Sequence, residues 1–213
     1  GNTTNITNRE QALKAFEAAK QYSRSVIVER FITGYDFRCL VINYKFICAA
    51  LRTPASVVGD GIHNLHWLVE EVNKDPRRGY GHEKVLTQIT IDQFTQKMLD
   101  DAGITMDHIP AKGERVLLKP TANLSTGGTS TDVTDEVHPA NVFMFERIAK
   151  IIGLDICGID VMATDLRTPV SENGGAILEV NAAPGFRMHI EPAEGLPRNV
   201  AEPVVDMLFA KGS

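Results

Sequence analysis

The chain has 213 residues, 43% of them hydrophobic, and a formal net charge of −5. That is enough to bury one large core or two small ones, and it gives no electrostatic reason to expect nucleic acid or an anionic membrane as partner. No apolar run approaches the roughly 20 residues of a membrane span, and no signal-peptide core opens the sequence. Cys39, Cys48 and Cys157 are odd in number and scattered, which fits buried, reduced thiols and a cytoplasmic location better than a disulfide framework or a zinc site.

In chain order, Thr7 and Glu10 form a capping-box signature for a helix whose apolar stripe is Ala12, Leu13, Phe16 and Ala19. Residues 26–32 read as a strand. After Gly34 come two further runs, 37–42 and 46–51, joined by a short turn at Asn43, Tyr44 and Lys45. All three runs are rich in β-branched and aromatic residues, and the last two read as a hairpin. A loop holding Val58, Gly59, Asp60 and Gly61 leads into a helix over 65–72, and residues 74–83 read as an exposed, mobile loop. Asp92 as N-cap and Gly103 just past the end bracket an amphipathic helix carrying Phe94, Met98 and Leu99. Residues 115–119 form a strand and 121–131 a polar loop. Pro139 then opens a helix that runs to Ile152 and stops at Gly153. Strands over 156–162 and 176–181 follow, and a last helix starts near Asn199. Strands arrive in groups without a strict βαβ rhythm, which gives an α+β fold with a largely antiparallel sheet.

The chemistry concentrates in the two late strands. Alternation puts Glu179 and Asn181 on one face of theirs, immediately before a turn at Pro184 and Gly185. Asp160, after Gly158 and Ile159, reaches the same surface from the neighbouring strand. A lone Glu and Asn at a strand end are ordinarily a solvated face. Two carboxylates and an amide oxygen together are hard donors suited to Mg²⁺ held between protein and polyphosphate.

This pattern resembles the metal core of the ATP-grasp carboxylate–amine ligases. Longer strings are similar to the ATP-grasp domain of the cyanophycin synthetases over nearly all of the chain from Val26. They include Pro54 and Ala55 with Val57 to Gly61 (Val, Val, Gly, Asp, Gly), Asp75 to Gly79 with Gly81, His82 and Glu83, Thr121 to Gly128, Asp132 to Pro139, Glu179 to His189, and Glu194 to Asn199. Bifunctional glutathione synthetases share part of this set, whereas the stretches 77–83 and 181–189 favour the cyanophycin type.

The resemblance implies the following. The fold is ATP-grasp, a single partial domain over 1–213, with a leading helix in 1–25 and a nucleotide- and metal-binding body in 26–213 that has a loop insertion near 54–112. The N-terminal part of the module is missing. The parent enzyme forms an acyl phosphate on a polymer chain-end carboxylate, joins aspartate to it by an amide bond, and is expected to be a homo-oligomer. Its cofactors and partners are ATP, two Mg²⁺ ions, aspartate and an Asp/Arg polymer primer. Asp160, Glu179 and Asn181 hold the metal. Glu29, Arg30, Phe31 and Ile32 form the adenine edge, with Asp36 on the ribose. Arg52, Lys119 and Arg187 supply cationic help, and the Gly185 backbone N–H meets the developing oxyanion. Arg77, Arg78, His82, Ser125, Gly127 and Gly128 contact substrate, the last three as a nest for a carboxylate or phosphate. His63, His66, His108, His138 and His189 are surface or satisfied histidines. The chain alone is expected to bind Mg-ATP weakly without turnover. Alternatives are a glutathione-synthetase-like or D-alanine-ligase-like enzyme with a small peptide substrate, and a non-catalytic nucleotide-binding module.

Overall fold

The computed structural model describes residues 3, 6–81 and 83–209. The backbone falls into two compact units, residues 1–33 and residues 34–213. The first holds helix α1 (Arg9–Lys20). Its N-cap is Asn8, one residue past the expected Thr7. The Asn8 side chain accepts from Gln11 N at 2.9 Å, while Gln11 Oε1 accepts from Thr7 N at 2.9 Å. None of its residues is buried. The strand expected over 26–32 is not formed: these residues have no ladder partner, and Ile27 and Val28 are 82% and 86% exposed. β-propensity reflects fit to a pleated, half-buried surface, and where no strand lies alongside it specifies nothing.

The second unit is built on one five-stranded sheet, ordered β7-β2-β1-β8-β9. Strand β1 (Tyr35–Ile42) and β2 (Lys45–Thr53) form the expected hairpin. Its turn places Asn43 and Tyr44 at φ 50° and 58°, the left-handed pair that matches the twist of the flanking strands. Strand β8 (Ile156–Ala163) pairs antiparallel with β1, and β9 (Ala176–Asn181) pairs antiparallel with β8 as an edge. The opposite edge is β7 (Thr129–Asp132), which starts within the stretch 121–131 expected to be a polar loop and ends one residue past it. Its polar residues carry no alternation signal, and it becomes a strand because β2 offers a ladder.

One sheet face is apolar. Phe37, Cys39, Val41, Ala49, Cys157, Ile159 and Val161 pack with Phe145 and Ala149 of helix α4 (Pro139–Ile152). This helix has its expected bounds, with Pro139 in the first turn and Gly153 left-handed at φ 78°. Near one end of the other face, Leu40, Ile42 and Cys48 pack with Val200 and with Val204 and Met207 of α6 (Ala201–Leu208). All three cysteines are free and buried, and burial raises the Cys48 thiol to about 12.

The insertion near 54–112 is a lobe with its own core rather than a loop. Strands β3 (Ser56–Val58) and β6 (Arg115–Leu117) pair, and α2 (Leu65–Asn73) and α3 (Gln93–Asp101) pack over them. Ala55, Val57, Leu65, Leu68, Val69, Ile89, Leu99 and Leu118 form that core. Asp92 caps α3 as expected, accepting from Phe94 N and Thr95 N. The loop expected over 74–83 contains a buried strand, β4 (Arg78–Gly79), paired in parallel with β5 (Leu86–Thr87). Among the described residues, no helix is long and apolar enough to cross a membrane.

Candidate functional site

The polar face of the sheet carries the site, and strand register assembles it. Arg52 lies opposite Asp36, Arg38 opposite Asp160, and Asp160 opposite Glu179. Residues directly opposite on neighbouring strands project to the same side, and so do residues two apart on one strand. Asp36, Arg38, Arg52, Asp160, Glu179 and Asn181 therefore share one face. A β-bulge in β9 lies just beyond these pairs. The register shifts between Asp160 and Val161, so that Ile177 rather than Leu178 opposes Val161. The extra residue, Leu178, is 53% exposed instead of packing beneath the sheet as alternation implied. The bulge keeps Ile177 and Val180 against the apolar core while Glu179 and Asn181 face away from it.

The carboxylate of Asp160 is 6% exposed and held by two guanidinium groups. Arg38 grips it from both nitrogens of one edge, with Nη2 donating to Oδ2 at 2.9 Å, and Arg52 Nη2 donates to Oδ2 at 3.0 Å. Arg52 also donates to Asp36 Oδ1 through Nε at 2.9 Å and Nη2 at 2.6 Å. Burial works to lower the Arg52 pKa, but the hydrogen bond and charge of Asp36 and the charge of Asp160 outweigh it and raise the group. Burial raises Asp36 against the opposing pull of Arg52. Asp36, expected on the ribose, is thus part of a charge lattice with Arg52.

Arg38 was not among the residues singled out from sequence, and its position depends on Gly158. A Cβ at Gly158 would sit 2.9 Å from Arg38 Cδ and 2.8 Å from Pro184 Cβ. The arginine crosses β8 where a side chain is missing. Spacing along one strand does not reveal this, because the two residues meet only through the β1–β8 register.

The segment after β9 runs back over the same face. Short helix α5 (Arg187–Ile190) contacts β2 and β7, and Ser130 Oγ donates to Met188 O at 3.2 Å. Further on, Asp132 N donates to Glu194 O at 2.9 Å, and Arg198 bridges Asp132 and Asp135 at 2.5 and 2.7 Å. His189 lies within this strap, 2% exposed, with neither ring nitrogen hydrogen-bonded. The expected satisfied histidine is instead a buried, neutral one: burial first, then the charge of Arg38, lowers its pKa to about 4.

The other expected residues fall as follows. Asn181 Nδ2 donates to Glu179 Oε1 at 3.0 Å. Gly185 is exposed, and a Cβ there meets nothing within 4 Å. Arg187 opens α5. Lys119 is buried just past β6, its ammonium 2.6 Å from Asp92. Arg77 bonds Asp75 and Ala193 O, and lines a cleft of about 490 Å³ with Lys74, Arg78 and Glu194 that none of the metal candidates borders. Arg78 is 6% exposed and donates to the Thr87 and Gly127 carbonyls. Around Ser125, the N–H groups of Thr126 and Gly128 go to Asn123 O and that of Gly127 to Leu124 O. These donors close a turn instead of forming an open nest. Glu29, Arg30, Phe31 and Ile32 lie in the unpaired stretch of the first unit, and His82 lies outside the described residues.

The donor set fits a divalent cation: two carboxylates and an amide oxygen share one face, and two arginines donate to the Asp160 carboxylate beside them. The antiparallel sheet with this charged face is an ATP-grasp fold. In sequence it is similar to cyanophycin synthetases. It is 52% identical over 209 residues to the cyanophycin synthetase of Trichormus variabilis, covering 98% of this chain and 23% of that one. The Synechocystis sp. cyanophycin synthetase is 48% identical over 215 residues, covering 100% and 25%. The crystal structure of a bifunctional glutathione synthetase from Pasteurella multocida superposes with TM-score 0.76 at 36% identity, over 97% of this chain and 28% of that one. The chain thus spans about a quarter of the length of the curated relatives it matches. No protein-family model matches it.

Proposed function

We propose that the chain contributes the metal- and phosphate-binding face of an ATP-dependent carboxylate–amine ligase of the cyanophycin synthetase type. The single observation that supports this most is the register that puts Asp160, Glu179 and Asn181 on one side of β8 and β9. These three residues would hold two Mg²⁺ ions, with Glu179 shared. Bound Mg²⁺ would supply neutralisation of the charge on the transferred phosphoryl group.

The rest falls to the chain's own residues. Arg52 is fixed by Asp36 and presents a buried cation at the place where anionic oxygens would gather. The open space above Gly185 admits an acyl oxygen to its N–H, with Arg187 two residues on. Glu29, Arg30, Phe31 and Ile32 take the adenine edge, as the family resemblance implies. On this reading the γ-phosphate passes to the chain-end carboxylate of an Asp/Arg polymer, and the aspartate amine displaces phosphate to form the amide.

Calorimetry of the intact protein with Mg-ATP tests the metal assignment. Asp160→Asn and Glu179→Gln are each expected to weaken binding at least tenfold, and unchanged affinity in both contradicts the assignment. A glutathione-synthetase-like acceptor is the second reading, favoured by the 36% identical Pasteurella structure. Phosphate release with polymer primer plus aspartate, against release with a γ-glutamyl dipeptide plus glycine, separates the two.

A further inference from the structure

We propose that Arg38 is an internal counter-ion that occupies Asp160 until a divalent cation arrives together with nucleotide, so that the site stays latched against free cations. The proposal rests on the metal reading above and concerns how the metal is admitted.

Three observations carry it. Arg38 is 8% exposed and makes a two-point grip on a carboxylate that is itself 6% exposed. A second guanidinium, Arg52, shares the same carboxylate oxygen Oδ2. Gly158 is the residue that lets the arginine lie across β8, since a Cβ there would meet the arginine Cδ and Nη1 at 2.9 and 3.2 Å. The grip is therefore built into the backbone.

A bare divalent ion entering this face has to displace a bidentate guanidinium from a site where water competes weakly. It then lies beside Arg52, held in place by Asp36, with the displaced Arg38 left without its carboxylate. Both effects oppose it, and both are stronger in a buried setting than in water. A polyphosphate changes the balance: its negative charge offsets the cations and gives the displaced Arg38 new acceptor oxygens. Metal and nucleotide then bind with positive coupling, and the coupling is reciprocal. Arg38 acts through Asp160 and is in this sense a positioning residue.

The test is titration of the intact protein with Mn²⁺, followed by the electron paramagnetic resonance signal of free Mn²⁺, with and without a non-hydrolysable ATP analogue. Wild type is expected to bind Mn²⁺ at least tenfold more tightly with the analogue than alone. Arg38→Met is expected to tighten binding of Mn²⁺ alone by about tenfold and to shrink the coupling, and Arg38→Lys, which keeps a charge but loses the two-point grip, to fall between. Gly158→Ala keeps every charge and pushes the guanidinium off its track. It is expected to move in the same direction as Arg38→Met and serves if that variant fails to fold. Equal Mn²⁺ affinity with and without analogue in wild type, or coupling unchanged in both Arg38→Met and Gly158→Ala, overturns the latch while leaving the metal site standing. No Mn²⁺ binding under any condition overturns the metal reading and the latch together.

Discussion

His189 shows how much a single side chain in the strap is constrained. Its ring is buried within the field of Arg38, Arg52 and Asp132, and burial together with Arg38 holds its pKa near 4, below the ordinary 6.5. The unfolded chain therefore binds the proton more readily. The stabilising contribution is complete above about pH 6.5 and is lost as pH falls toward 4, by on the order of 3 kcal/mol. Urea denaturation across that window is expected to show wild type losing stability more steeply than His189→Gln, and parallel curves would contradict the assignment. The same scale explains what sequence did not reveal. That Asp160, Glu179 and Asn181 share one face was legible from strand alternation. Arg38 and His189 were not, because one is defined by a cross-strand partner and the other by what covers it.

At the scale of elements, α4 was legible from end to end, since Pro139 and Gly153 mark its ends by backbone chemistry alone. Strand β7 was hidden because Thr129 to Asp132 become a strand only when β2 offers its ladder. The bulge at Leu178 was hidden for the complementary reason: strict alternation reads correctly on either side of it but not across it. Besides backbone hydrogen bonds, the strap is tied to β7 by Arg198, whose guanidinium meets Asp132, with a 7% exposed side chain, and Asp135, with a 71% exposed one. Arg198→Met leaves a buried carboxylate without its cation and is expected to cost about 3 kcal/mol. Asp135→Asn, at the exposed end, is expected to cost less than about 1 kcal/mol. Chemical denaturation of the two variants checks the asymmetry, and equal losses would mean that Asp132 is held by other means.

In the second unit as a whole, the sheet core and the lobe core share no buried residue. Leu99→Ala in the lobe and Phe145→Ala under the sheet each open a cavity costing about 2–5 kcal/mol. Hydrogen exchange is expected to show Leu99→Ala loosening amides over 54–118 while β1 and β8 keep their protection, and uniform loss across both would make the second unit one cooperative body.

The central claim is that Asp160, Glu179 and Asn181 converge on divalent ions under a nucleotide. A crystal structure of the intact protein with Mg²⁺ and a non-hydrolysable ATP analogue tests it directly. The account predicts oxygens of all three side chains within roughly 2.0–2.2 Å of Mg²⁺, Glu179 bridging two ions, and Arg38 moved from Asp160 to a phosphate oxygen. Mg²⁺ coordinated elsewhere, with Asp160 still gripped by both arginines beneath the bound nucleotide, would contradict it.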